Sequence, residues 1–186
     1  ASVLTAIGSK DDSGTQTDSL AELQAIVNTT VASLNVITTF AQSNTASSNT
    51  GSATGFTYVG TVPTAADYAN VGVTGVDTNN VKAINDALAT SAITGAQATT
   101  QSQIQAIVNG YQNILSAADG DAATGTPQTL TASDYAAIGA SVSALTGDAE
   151  GLRLLNDIVG GKSTAAVDTV KEIENLARIA QAIQDT

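Results

Sequence analysis

Ser19-Leu20-Ala21-Glu22-Leu23-Gln24-Ala25-Ile26-Val27-Asn28 recurs as Thr100-Gln101-Ser102-Gln103-Ile104-Gln105-Ala106-Ile107-Val108-Asn109, and more loosely as Thr169-Val170-Lys171-Glu172-Ile173-Glu174-Asn175-Leu176-Ala177-Arg178. The copies are offset by 81 and then 69 residues. Each opens with a hydroxyl residue followed three positions later by an acid or amide: Ser19 with Glu22, Thr100 with Gln103, Thr169 with Glu172. That is a capping box, in which the hydroxyl accepts from the backbone and the acid or amide reaches back to it. Apolar residues then recur at helical spacing. They are Leu20, Leu23, Val27, Val31, Leu34 and Ile37 in the first copy, and Ile104, Ile107, Val108, Tyr111, Ile114 and Leu115 in the second. In the third they are Val170, Ile173, Leu176, Ile179, Ala180 and Ile183. The pattern predicts three amphipathic helices, each with one apolar stripe.

A second motif appears twice, as Thr64-Ala65-Ala66-Asp67-Tyr68-Ala69-Asn70-Val71-Gly72 and Thr131-Ala132-Ser133-Asp134-Tyr135-Ala136-Ala137-Ile138-Gly139. Thr64 with Asp67 and Thr131 with Asp134 form the acid version of the same box, and Pro63 and Leu130 stand where a hydrophobic staple packs. Gly72 and Gly139 predict an early helix end. A third helix follows, with Asp77 as the expected cap of a helix carrying Val81, Ile84 and Leu88, and Asp148 of one carrying Leu152, Leu155 and Ile158. Both versions contain Asn-Asp, at Asn85-Asp86 and Asn156-Asp157. Buried side-chain amides usually serve hydrogen-bond satisfaction, so Asn85 and Asn156 are expected to fix how helices meet. Tyr68 and Tyr135 are expected in the core.

The unit therefore reads as long helix, loop, short Tyr-bearing helix and medium helix, about 70 residues in all; none of the three buries its stripe alone. The expectation is an all-α protein of about seven helices in two tandem quasi-repeats, an elongated array of helical bundles. Residues 1–98 are the first repeat, with a polar loop at 43–58, and residues 99–186 are the second repeat plus the first helix of a third. The pattern is cut at both ends, as in a slice of a longer array. Phe56, Tyr58 and Val62 form a short strand or cover one end of the core.

Composition narrows function. The chain has 186 residues, 17 acids against 6 bases, and a net charge of −11. Only 12% of its residues are charged, against about 25% in a typical domain. Nucleic acid is not an expected partner, because the six bases are scattered and phosphate contacts need them clustered. Membrane insertion is not expected either: no uninterrupted apolar run approaches the 18 or so residues of a span. With no Cys and no His, zinc, haem, iron–sulfur and copper sites and thiol or imidazole catalysis are not expected. No carboxylate pair sits in an apolar run that would raise its pKa, and no enzyme is expected.

Asp119-Gly120-Asp121 resembles the opening of a calcium loop but lacks the closing Glu, so Asp119 and Asp121 are candidates for weak calcium binding, with a solvated turn as the alternative. Asp11-Asp12 is similarly incomplete. Gly160-Gly161-Lys162-Ser163 lacks the leading Gly of a phosphate loop and reads as a helix end and linker.

The stretches Leu130-Thr131-Ala132-Ser133-Asp134-Tyr135-Ala136, Gly72-Val73-Thr74-Gly75-Val76, Ile104-Gln105-Ala106-Ile107-Val108 and the Asn-Asp helices resemble the Ala/Thr-rich helical repeats of large bacterial surface adhesins. Those are the biofilm-associated, type I-secreted proteins. Gly139-Ala140-Ser141-Val142-Ser143-Ala144-Leu145-Thr146 departs from the pattern in the second copy. The resemblance implies an extracellular stalk or spacer, often in calcium-rich surroundings, and carries no catalytic residues. The partners it leaves open are neighbouring repeats or like subunits, and a surface glycan or protein. Two alternatives stand beside it: a self-assembling filament or surface-layer subunit docking through Val170–Ile183, and a glycan- or peptide-binding module using Tyr58, Tyr68 or the loop 43–55.

Overall fold

Ser19, Thr64, Thr100 and Thr169 each begin a helix with both arms of the capping box in place, and at Thr131 the Asp134 carboxylate accepts from the Thr131 amide and hydroxyl. The computed structural model describes residues 2–10, 13–44, 58–120, 130–147 and 149–186. Among them are nine α-helices and no strand: α1 (Ser2–Gly8), α2 (Leu20–Ser43), α3 (Ala65–Asn70), α4 (Val81–Leu88), α5 (Gln101–Ala117), α6 (Ala132–Ala137), α7 (Ser143–Thr146), α8 (Ala149–Gly160) and α9 (Val170–Gln184). The protein is all-α. Short 3₁₀ turns at Gly95–Gln97 and Thr164–Ala166 lead into α5 and α9.

The short Tyr helices end alike. In α3 the Val73 amide donates to the Tyr68 carbonyl and the Gly72 amide to Ala69; in α6 Ala140 donates to Tyr135 and Gly139 to Ala136. This Schellman closure needs a left-handed residue, and Gly72 and Gly139 have φ of 79° and 73°. Each Tyr helix lies on the preceding long helix, α3 on α2 and α6 on α5. The long helix reaches the spare oxygen of the capping carboxylate: Ser33 Oγ donates to Asp67 Oδ1 at 3.0 Å, and Asn113 Nδ2 to Asp134 Oδ1 at 2.7 Å. Gly110 lets α6 sit close, since a Cβ there would stand 2.9 Å from the Asp134 carbonyl oxygen.

Three helix–turn–helix pairs recur: α1 on α2, α4 on α5, α8 on α9. Their closing bonds correspond. Ser9 Oγ donates to the Ala6 carbonyl as Thr90 Oγ1 does to Ala87, at the same offset of 81. The bonds Ser9 to Thr5 and Lys10 to Ile7 recur as Gly161 to Asp157 and Lys162 to Val159. The helix α1 packs on α2, as α4 packs on α5 and α8 on α9. It was not evident in the sequence, and neither was α7.

One contiguous core runs from Ile37 to Ala180, with Phe40, Tyr68, Tyr111 and Tyr135 among its largest wholly buried side chains. Each contributes on the order of 1.5–3 kcal/mol by leaving water. Two expected stripes are corrected. In α2 the buried face is Thr30, Ser33, Ile37, Phe40 and Ala41, whereas Leu20 and Val31 are exposed. The face turns because Thr30 and Ser33 bond to α3 through the Asn70 carbonyl and Asp67. In α9, Ile179 and Ile183 are exposed, although Ile114, the counterpart of Ile183, is wholly buried beside α6. The membrane expectation also changes in one respect. By length and composition α2 is long and apolar enough to cross a membrane, with a mean hydropathy of 1.2 over its best window. Interspersed Thr, Ser and Asn hide that property from a search for uninterrupted apolar runs.

Asp77 does not cap α4 directly. Its carboxylate accepts from the Asn79 and Asn80 amides, one turn ahead of the helix, while Asn80 Oδ1 accepts from the Asp77 amide. Asp148 lies outside the described residues, as do Asp11-Asp12, Phe56 and most of the loop 43–58.

Candidate functional site

Tyr68 and Tyr135 are structural. The Tyr68 hydroxyl donates to Asn85 Oδ1 at 2.6 Å, and Asn85 Nδ2 donates to the Pro63 carbonyl at 2.8 Å. The second copy repeats the chain, Tyr135 to Asn156 Oδ1 at 2.8 Å and Asn156 Nδ2 to the Leu130 carbonyl at 2.8 Å. The amides thus tie each Tyr helix, its entry strand of backbone and the following helix together. Burial pushes both phenols up from their ordinary value, so they remain donors. Neither ring is open to a ligand. Tyr58 is half-buried, its ring edge-on to Phe40 at 5.0 Å. Beside it Asn44 receives the Val59 amide on Oδ1 and gives Nδ2 to the Val59 carbonyl, so one side chain stands in for a strand partner.

The loop after each Tyr helix is fastened to the next long helix. Gln105 takes the Thr74 amide at 2.9 Å and donates to the Thr74 carbonyl at 3.1 Å. Gln101 and Gln112 donate to the Gly72 and Gly75 carbonyls. After the second Tyr helix Glu174, the counterpart of Gln105, accepts from the Ser141 amide at 3.1 Å. Two more bonds lock α9: the wholly buried Asp86 carboxylate accepts from the Val170 amide at 2.6 Å, and Tyr111 donates to the Val167 carbonyl.

A cavity of about 690 Å³ forms a groove where these elements converge. Asp77, Asn79 and Asn80 form one wall, Gln112, Asn113 and Ser116 of α5 a second, and Thr164, Ala165 and Asp168 a third. Ala83 and Leu115 contribute apolar surface. Thr164 stands at an offset of 69 from Gly95, which has no side chain and lies close against α2, where a Cβ would stand 3.1 Å from the Thr38 carbonyl oxygen. Sequence reading did not find this groove, because its residues come from three distant segments.

Of the calcium candidates, Asp119 is exposed just after α5, in an antiparallel bridge with Ser163, and Asp121 lies outside the described residues. Among the described residues no three acidic groups converge as a metal-ligand set. Gly160 and Gly161 end α8 as expected, and the Gly160 carbonyl accepts from Gly120. The chain matches no known protein family, no curated protein and no solved structure.

Proposed function

We propose that this chain is a spacer segment of a bacterial cell-surface protein, a stalk of tandem helical units acting outside the cell. The observation that carries the reading is the joint. Thr74 on Gln105 and Ser141 on Glu174 are corresponding contacts between consecutive units, made mainly by side-chain groups on backbone. A chain whose units join by the same contact transmits position from one unit to the next. Its partners in this role are the neighbouring units, and it performs no catalysis. The absence of Cys and Met suits an oxidising exterior.

Small-angle X-ray scattering at several concentrations tests this. An elongated particle of constant size is expected, and a spherical one overturns the reading. Repeating the measurement in millimolar calcium tests for the ion, and stiffening that Asp119→Asn with Asp121→Asn abolishes assigns it to those two residues.

One observation favours the second reading, a self-assembling filament or surface-layer subunit. Ile179 and Ile183 are each 52% exposed one turn apart on α9. Particle growth with concentration that Ile183→Glu abolishes would establish it.

A further inference from the structure

The loops after the two Tyr helices are held on one face of the long helix that follows, and the corresponding face of α2 is bare. On α5 that face carries Gln101, Gln105 and Gln112, which bind the backbone of Gly72, Thr74 and Gly75. On α9 it carries Val170 and Glu174; Val170 is 3% exposed, and Glu174 takes the Ser141 amide. The matching residues of α2, at the offset of 81 between the capping boxes, are Leu20, Gln24 and Val31. Leu20 is 82% exposed and Val31 56%. Leu23 and Val27 beside them are half-buried, whereas their counterparts Ile104 and Val108 are wholly buried. Gln24 is set as Gln105 is: each donates from Nε2 to an Asn oxygen one turn on, Asn28 and Asn109, both at 2.9 Å. In Gln105 the other N–H and the carbonyl oxygen grip the carbonyl and the amide of Thr74. In Gln24 the same two groups meet no protein group among the described residues.

We propose that this face of α2 docks a Gly-x-Thr or Gly-x-Ser loop from a further helical unit, with Gln24 gripping the backbone of the hydroxyl residue. The two loops already docked show what the face fits. Gly72-Val73-Thr74 and Gly139-Ala140-Ser141 share the pattern, and the left-handed glycines, at φ of 79° and 73°, turn the chain so that the amide two residues on meets the helix. A second copy of this chain has no such loop to offer, since its own α5 and α9 hold both. Leu20 and Val31 add apolar surface that leaves water on docking, which favours the bound state. This docking rests on the proposed reading of units joined by one repeated contact. Particle shape tests the stalk and peptide binding tests the face, so either fails alone.

The test is an amide-resolved NMR titration of the full chain with a capped peptide of the sequence Val71–Val76. Shifts concentrated at residues 20–34 are expected, with an affinity on the order of millimolar because a short peptide loses its freedom on binding. Methylating the peptide nitrogen of Thr74 removes the N–H offered to Gln24 Oε1 and is expected to weaken binding roughly tenfold. Gln24 is exposed, and Gln24→Ala is expected to match that loss. Should the variant fold poorly, the methylated peptide carries the same test on the unaltered protein. Absence of shifts at about 20 mM peptide, shifts centred elsewhere, or equal binding of the methylated peptide would overturn the proposal. Changes at residues 20–34 that grow with protein concentration alone would give the face to a second copy. Adsorption through those residues to phosphatidylcholine vesicles would give it to a membrane, for which α2 is long and apolar enough. Either result overturns the proposal.

Discussion

Tyr68 and Asn85 are 17 residues apart and meet at 2.6 Å in the core, and Tyr135 meets Asn156 at 2.8 Å in the same way. A buried hydrogen bond returns little net free energy when made, but a partner left unsatisfied costs more. Tyr68→Phe strands Asn85 Oδ1 and is expected to lower unfolding free energy by about 1–3 kcal/mol in urea denaturation. Asn85→Ala strands both the Tyr68 hydroxyl and the Pro63 carbonyl and is expected to cost more. In a double-mutant cycle the pair should couple, whereas Tyr68→Phe and Tyr135→Phe should add.

Glycine substitutions separate backbone strain from crowding. Gly120 has φ of 83° and open space where a Cβ would go, so Gly120→Ala is expected to cost about 1 kcal/mol, the left-handed penalty alone. At Gly139 the Cβ would also collide with the Thr90 hydroxyl and stand 3.2 Å from Ala92 Cβ. Gly139→Ala should therefore lower the thermal midpoint clearly more than Gly120→Ala. Equal losses would mean that Thr90 turns aside freely.

Asp86 holds the first turn of α9 from another part of the fold. Asp86→Ala leaves the Val170 amide buried without its 2.6 Å acceptor, at a cost of about 1–3 kcal/mol or more. Hydrogen exchange checks this locally: protection of amides 170–173 should fall most, while α2 and α3 stay protected.

Acid should loosen the Tyr helices. Burial raises the Asp67 carboxyl, but bonds from the Thr64 amide and hydroxyl and from Ser33 outweigh it and hold its pKa below the ordinary carboxylate value. Asp134 is lowered against the same burial by Asn113 and Thr131. A depressed folded pKa gives stability that is present above the unfolded pKa of about 4 and is lost as pH falls through the folded value. Denaturation midpoints should therefore drop below about pH 4, and the Asp67→Asn, Asp134→Asn double variant should show a shallower decline.

The capping boxes made the helix starts legible, because the signal is local: a hydroxyl and an acid three residues apart bond to each other whatever surrounds them. The Asn-Asp helices were legible as a repeated polar pair on an apolar face. What was missed depends on tertiary contact. The helix α1 shares little with α4 beyond Ala6 with Ala87 and Ser9 with Thr90, and its place shows only in the matching bonds. The buried face of α2 turned toward Thr30 and Ser33 because α3 offers them acceptors, which no hydropathy pattern records. The groove was invisible for the same reason, its walls lying far apart in the chain.

At the first joint the fastening is amide to backbone, Gln105 on Thr74 and Gln112 on Gly75, with no ion pair between those partners. Dissolved salt shortens the reach of exposed charges to about 10 Å at 0.1 M and about 3 Å at 1 M, but it does little to a neutral amide bonded to a peptide group. A linkage of this kind keeps its geometry between fresh water and brine, because hydrogen bonds between neutral groups fix it rather than the medium.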